Sequence, residues 1–366
     1  MSESIVHNFS AGPCILPQEV FKQASEAVLN FNNLGLSILE ISHRSKDFVD
    51  VIEHARSLAL ELLELNPEEY AVLFMQGGAS AQFLMTAQNL LSKGGKAGFL
   101  DTGTWANKAI KEAGYFGNAI VLASSSDKAY SYIPKNFRIT NDLDYVHYTS
   151  NNTIYGTQMN HFPGLQGVLK ICDMSSDIYS RQLDYSQFDL IYAGAQKNIG
   201  PAGATLVVLK KDILGKTNRN IPSILNYELF VEKESMFNTP PVFSIYVSYL
   251  NLLWLKNNGG IIKIAQENKK KSDVLYTEID RNSLFVGHAR KEDRSQMNVT
   301  FRLLDEKLSS SFDLICEKNK INGVKGHRSV GGYRASLYNA LKIESVYVLV
   351  KTMQQLEKQV HENNIS

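Results

Sequence analysis

The 366-residue chain has little cysteine: Cys14, Cys172 and Cys316, odd in number and far apart. That excludes the disulfide framework of a small secreted domain and gives no metal-ligand spacing. Three scattered thiols suit a reducing compartment. An excess of one charge is also lacking, since 38 Lys and Arg face 37 Asp and Glu, a net charge of +1. No broad field therefore points to nucleic acid or a membrane surface, and an anion bound here must meet local positive charge. Long hydrophobic runs are missing too: the most apolar stretch, around Tyr246–Leu255, is too short and too polar to span a bilayer. Residues 1–14 carry no basic segment followed by an apolar run, so no secretory signal is expected. There is no internal repeat and no low-complexity tract. Nor is there a G-x-G-x-x-G turn or a G-x-x-x-x-G-K-S/T loop, which argues against a dinucleotide-binding oxidoreductase and a P-loop enzyme. A cytoplasmic enzyme is the expected class.

What is present is an ordinary globular composition, 44% hydrophobic and 20% charged, far from the balance of a disordered chain. Helical spacing marks Val20–Phe31 and Phe48–Leu65; in the second, Val51, Ile52, Ala55, Leu58, Ala59 and Leu62 fall on one side. Short apolar runs alternate with such segments: Tyr70–Met75, Ala97–Leu100, Ala119–Leu122, Tyr145–Tyr148, Val168–Cys172, Leu190–Ala193 and Thr205–Leu209. Continuous apolar runs read as buried strands, and their alternation with helices predicts an α/β fold with a mostly parallel sheet. The pattern changes at Asn257–Gly260. Beyond it come a helix with a Lys-rich face over Ile261–Ile279, a strand at Asn298–Leu303 and a helix at Leu308–Lys318. A Gly-rich stretch to Gly332, a strand at Tyr333–Ser336 and a last helix from about Ser345 follow. The expectation is a large domain over 16–257 and a smaller α+β domain over 258–366, with residues 1–15 packing on the latter. The run Lys269–Lys271 reads as a solvated helix face.

In open α/β sheets ligands sit beyond the carboxyl ends of the strands, so the residues after each run matter most. Gln76-Gly77-Gly78-Ala79-Ser80 precedes a helical run; small residues and free helix N–H groups suit an anion, though a tight turn with a Ser cap is the commoner explanation. Trp105 follows the next strand and can stack on a flat ring or simply fill the core. The cluster Thr149–Thr153 can bind a ligand or form a turn. Asp173 at a strand end can hold a ring nitrogen protonated or cap a helix. The strongest segment is Gly194-Ala195-Gln196-Lys197-Asn198-Ile199-Gly200-Pro201-Ala202-Gly203. One lysine among small residues between buried strands is desolvated, which lowers its pKa and leaves the neutral amine that imine chemistry needs. Two basic clusters, Ser42-His43-Arg44 and Gly326–Arg334, add local anion sites in a neutral chain.

These segments resemble the phosphoserine aminotransferase family across essentially the whole chain. The likeness is carried by Asn8–Pro13, Ser42–Ser45, Gln76–Ser80, Tyr192–Gly203, Asn238–Pro241 and Gly326–Ala340, of which the fourth and last are the most specific. It departs at Ser80, where some relatives have Arg in a GGRG loop, which suggests a subtype. The resemblance implies a fold-type-I homodimer with shared active sites and pyridoxal 5′-phosphate (PLP) bound covalently to Lys197. By that similarity Asp173 pairs with the pyridine nitrogen, Trp105 stacks on the ring, and Thr153 contacts the ring hydroxyl region. Ala79, Ser80 and Gln196 hold the cofactor phosphate, reached also by Asn238 and Thr239 of the partner subunit. Arg334 holds the substrate α-carboxylate. His43, Arg44, His327 and Arg328 bind the distal phosphate or carboxylate, and Ser10 helps at the substrate end. The implied reaction is reversible amino transfer between 3-phospho-L-serine and 2-oxoglutarate, in serine biosynthesis, with 4-phosphohydroxy-L-threonine a further candidate substrate in pyridoxine biosynthesis. The nearest rivals are an aminotransferase for unphosphorylated amino acids and a cysteine desulfurase. The latter needs a reactive cysteine in a mobile loop, which none of the three resembles.

Overall fold

The computed structural model describes residues 5–328 and 330–363. Strand β1 (His7–Asn8) is followed by α1 (Gln18–Leu29) and α2 (Lys46–Leu63). Helix α2 forms because its apolar residues recur at helical spacing, burying Val51, Ile52, Ala55, Leu58 and Ala59; it stops at Glu64, which turns left-handed. Then come β2 (Tyr70–Met75), α3 (Gly78–Leu90), β3 (Lys96–Asp101), α4 (Thr104–Ala113) and β4 (Asn118–Ser124). β5 (Tyr145–Thr149), the short hairpin β6 (Asn151–Asn152) and β7 (Thr157–Gln158), β8 (Leu169–Asp173), β9 (Leu190–Gly194) and β10 (Thr205–Lys210) complete this run of strands.

Seven strands join in the order β2-β10-β9-β8-β5-β3-β4. All run the same way except β10, which is antiparallel to both neighbours. The sheet is therefore mostly parallel, as the alternation of elements predicts. Side chains alternate between two cores: Tyr70, Val72 and Phe74 of β2 face one, Ala71, Leu73 and Met75 the other. Both faces are covered, which is why the strands read as unbroken apolar runs. The expected buried strand at Ala119–Leu122 differs: β4 ends the sheet, and Ile120 and Val121 are 37% and 49% exposed. Position at an edge, which composition does not reveal, decides that.

Helices α5 (Tyr227–Glu232), α6 (Val242–Asn257) and α7 (Gly260–Arg281) lead to β11 (Phe285–Gly287), β12 (Asn298–Leu303), α8 (Ser309–Lys318), β13 (Ile321–Asn322), β14 (Tyr333–Ser336) and α9 (Ile343–Asn363). The antiparallel sheet β11-β12-β14 and helices α7, α8 and α9 enclose a third core, which includes Phe9 from the N-terminal segment. β1 pairs in parallel with β13. Helix α7 bridges the halves, with Ile264 in a core of the large sheet and Leu275 and Ile279 in the third.

The expected solvated face at Lys269–Lys271 needs correction. Lys269 and Lys270 are exposed, but Lys271 is 1% exposed, and its amine donates to the carbonyls of Leu337 and Tyr338, each at 2.9 Å. A lysine run on a helix covers more than one face, so its third member turns inward. Among the described residues, no helix is long and apolar enough to cross a membrane.

Candidate active site

The carboxyl ends of β2, β3, β5, β8 and β9 lie along one edge of the sheet, since each strand is in register with its neighbours. Loops leaving that edge line a cavity of about 350 Å³. Gly78, Ala79 and Ser80 come from the start of α3, Trp105 from the first turn of α4, Thr149 from the end of β5, Asn151 and Thr153 from β6 and the residue after it, Asp173 from β8, and Gln196 and Lys197 from the loop after β9. Ala11 and Gly12 close it from the N-terminal segment, His327 and Arg334 from the last third of the chain.

The turn into α3 requires glycine. Gly77 has φ +96°, and a Cβ there would stand 2.5 Å from that of Ala81. The loop bearing Lys197 is pinned from several sides. Asn251 of α6 donates to the carbonyls of Asn198 and Ile199 at 2.8 and 2.9 Å. Cys14 donates through its amide to Gln196 O at 3.1 Å and through Sγ to Lys197 O at 2.9 Å.

Lys197 is buried, and its Nζ donates to Thr153 Oγ1 at 3.0 Å. Burial lowers its pKa to about 8; Asp173 opposes the shift and Arg334 adds to it. Asp173 is buried as well. Burial raises its pKa, while hydrogen bonds from Ser175 and the charge of Lys197 work against that; Ser175 N donates to its Oδ1 at 2.9 Å. Arg334 is half-buried. Its Nη1 donates to Thr153 O at 3.4 Å, and burial lowers its pKa without removing its charge. His327 is pushed below the usual histidine value by burial, then by the charges of Arg334, Arg328 and Lys108.

Three cavity-lining residues carry buried polar atoms without a protein partner: Trp105 Nε1, Thr149 Oγ1 and Arg334 Nε. Such atoms are rare in finished cores and suit a polar occupant. Ala11, Gly12, Ser175 and Ser176 also line the cavity although the sequence assigns them no role there: the first two lie in the Asn8–Pro13 segment of the family likeness, and the last two follow Asp173 in the chain.

Other candidates lie elsewhere on the single chain. His43 and Arg44 sit in the turn before α2, where Arg44 N is held by Ser42 Oγ at 3.2 Å. Asn238 and Thr239 are exposed; Thr239 O accepts from Gln76 Nε2 at 2.8 Å, and Asn238 lines a neighbouring cavity. Ser10 and Arg328 flank residues of the site without lining it. The thiols of Cys14 and Cys316 are pushed up to about 12 by burial, and that of Cys172 well above the usual range. None has the thiolate character a desulfurase requires.

The sheet order, the strand-end cavity and the buried lysine define a class, and comparison agrees with it: the class-V aminotransferase family matches residues 6–349. The chain belongs to the class-V aminotransferases, and within them to the phosphoserine aminotransferase family. It is 60% identical over 354 residues to a phosphoserine aminotransferase of Flavobacterium psychrophilum, covering 97% of this chain and 99% of that one. It is 54% identical to one of Parabacteroides distasonis, covering 96% and 99%. Among solved structures, the phosphoserine aminotransferase of Bacillus circulans subsp. alkalophilus superposes with a TM-score of 0.94 at 42% identity, covering 97% of this chain and 99% of that one. That of Trichomonas vaginalis, with PLP bound, superposes with a TM-score of 0.90 at 33% identity, covering 96% and 100%.

Proposed function

We propose that this chain is a PLP-dependent phosphoserine aminotransferase, interconverting 3-phospho-L-serine and 2-oxoglutarate with 3-phosphohydroxypyruvate and L-glutamate. The observation that carries the reading is Lys197: a buried amine with weakened proton affinity, in a cavity that also holds a buried carboxylate and an arginine. The residues fit the cofactor. Trp105, Thr149 and Arg334 bring unpartnered polar atoms to the cavity, Gly77 and Gly78 let backbone approach a phosphate, and the Asp173 carboxylate suits a protonated ring nitrogen.

In this reading Lys197 holds PLP, Asp173 faces the pyridine nitrogen, Trp105 packs on the ring and Thr153 lies by the ring hydroxyl. Ala79, Ser80 and Gln196 take the cofactor phosphate, with Asn238 and Thr239 of the partner subunit. When bound, the cofactor supplies a carbonyl that condenses with amines and a ring that accepts the electron pair released at the substrate α-carbon. The protein supplies the rest. Arg334 grips the α-carboxylate in the fork geometry that lysine lacks. Once displaced, the Lys197 amine is the base at the α-carbon proton and then its donor; Thr153 Oγ1 fixes where that nitrogen rests. Burial excludes water, so proton transfer stays between placed groups.

His327 and Arg328, with His43 and Arg44, meet the distal anion, and Ser10 stands at the same end. Flexible cations serve both a phosphate and a carboxylate tail, as two substrates sharing one site demand. A homodimer is part of this reading. His43 and Arg44 do not line the cavity of their own chain, and the chain just before them exposes Leu29, Leu34, Leu36 and Leu39, apolar residues that association would cover. We place the working division of the chain at 257/258 and the enzyme in the cytoplasm, in keeping with three unpaired cysteines. The test is a coupled assay with phosphoserine and 2-oxoglutarate, with serine as control. Glutamate forming with phosphoserine and far more slowly with serine is expected; equal turnover of the two would favour an enzyme for unphosphorylated amino acids.

A further inference from the structure

Among the described residues, the Arg334 side chain is loosely held: a hydrogen bond of 3.4 Å to Thr153 O, and a buried Nε with no partner. Where its guanidinium points is therefore set by β14. That strand pairs with β12, Thr300 opposite Arg334 and Asn298 opposite Ser336. Asn298 is fully buried and joins three parts of the molecule. Its Oδ1 accepts from Asn151 Nδ2 at 2.7 Å, and Asn151 lines the cavity. Its Nδ2 donates to Ser336 Oγ at 3.0 Å and Tyr338 Oη at 3.3 Å. Tyr338 Oη in turn donates to the carbonyl of Ala11, another cavity residue, at 2.8 Å. The Asn151 end is fixed independently by Ser176 and by Ser295. Lys271 pins the residues just past β14 a second time through the carbonyls of Leu337 and Tyr338.

We infer that Asn298 is a positioning residue for amino transfer: its side-chain amide locks the strand carrying Arg334 to the floor of the cavity, and so fixes the arginine relative to Lys197. An amide suits the task because it donates on one side and accepts on the other, and so ties β14 and the cavity wall through one buried side chain. Asn298 does not line the cavity, and acts on the substrate through the placement of Arg334. The inference rests on the reading of Arg334 as the α-carboxylate clamp.

The test uses PLP-loaded protein and follows its absorbance on titration with phosphoserine, glutamate and phosphoethanolamine, the last being phosphoserine without its α-carboxylate. In Asn298→Ser the dissociation constants for phosphoserine and glutamate should rise roughly tenfold, the scale of one weakened charge-assisted contact. Affinity for phosphoethanolamine and PLP content should stay at wild-type values. Arg334→Gln should give the same carboxylate-dependent pattern, more strongly. A loss shared equally by all three ligands, or lowered thermal stability with unchanged affinities, overturns the proposal. If Arg334→Gln discriminates and Asn298→Ser does not, the proposal alone fails; if Arg334→Gln does not discriminate, the clamp reading falls and takes the proposal with it. Should Asn298→Ser not fold, Ser336→Ala removes one of the same bonds and carries the same test.

Discussion

A lysine amine in water keeps its proton to about pH 10.5; at Lys197 burial brings that to about 8. Near neutrality a usable share of the amine is unprotonated. Loading of the apoprotein with PLP should therefore accelerate about tenfold per pH unit up to pH 8 and then level off. Absorbance stopped-flow would record this, and a rate still climbing toward pH 10 would contradict it. Lys197→Ala should lower turnover by about a thousandfold or more, since base and attachment point are lost together. Lys271 obeys the same physics without the chemistry, its pKa lowered to about 7 by burial. The unfolded chain holds that proton to about 10.5 and the folded chain releases it near 7, so the unfolded state binds more protons in between and stability rises with pH across that window. Lys271→Met loses this gain and leaves two carbonyls unpaired, at a cost of about 2 kcal/mol. Thermal unfolding should show wild type pulling further ahead of the variant from pH 7 to 9.

At the scale of elements, the turn from β2 into α3 depends on one backbone conformation. Gly77→Ala combines a positive φ with a close approach to Ala81, at about 1–3 kcal/mol. PLP affinity should fall with it, measured by equilibrium dialysis, because the same turn leads to Ala79 and Ser80. The large sheet could be read in advance because its strands are buried on both faces and so appear as unbroken apolar runs. β4 misleads because an edge strand has the same composition with half the burial. The pairs β1–β13 and β6–β7 are two residues a strand, too short for any period to appear. Helix α4 also escapes a reading by periodicity, since it is short and its buried positions are alanines. The site residues that could be foreseen stand at ends of long strands or in basic clusters. Ala11 and Gly12 fall in the Asn8–Pro13 segment of the family likeness, but no local pattern gives them a role, and they reach the cavity by closure of the N-terminal segment on the sheet edge; Ser176 arrives there three residues past the end of β8.

At the scale of the molecule, one chain does not bring Arg44 to its own cavity. If Arg44 serves the site of the partner subunit, two inactive proteins should rescue each other. Mixing Lys197→Ala with Arg44→Ala after subunit exchange should restore about a quarter of wild-type activity, as half the dimers then hold one intact site of two. No recovery, with exchange shown by mass, would place Arg44 outside the shared site. The account as a whole rests on Lys197 condensing with the cofactor aldehyde. Borohydride reduction of the PLP-loaded protein, followed by peptide mass mapping, addresses that claim directly. The account predicts one phosphopyridoxyl adduct, on the peptide holding Lys197; no adduct, or one on another lysine, would contradict it.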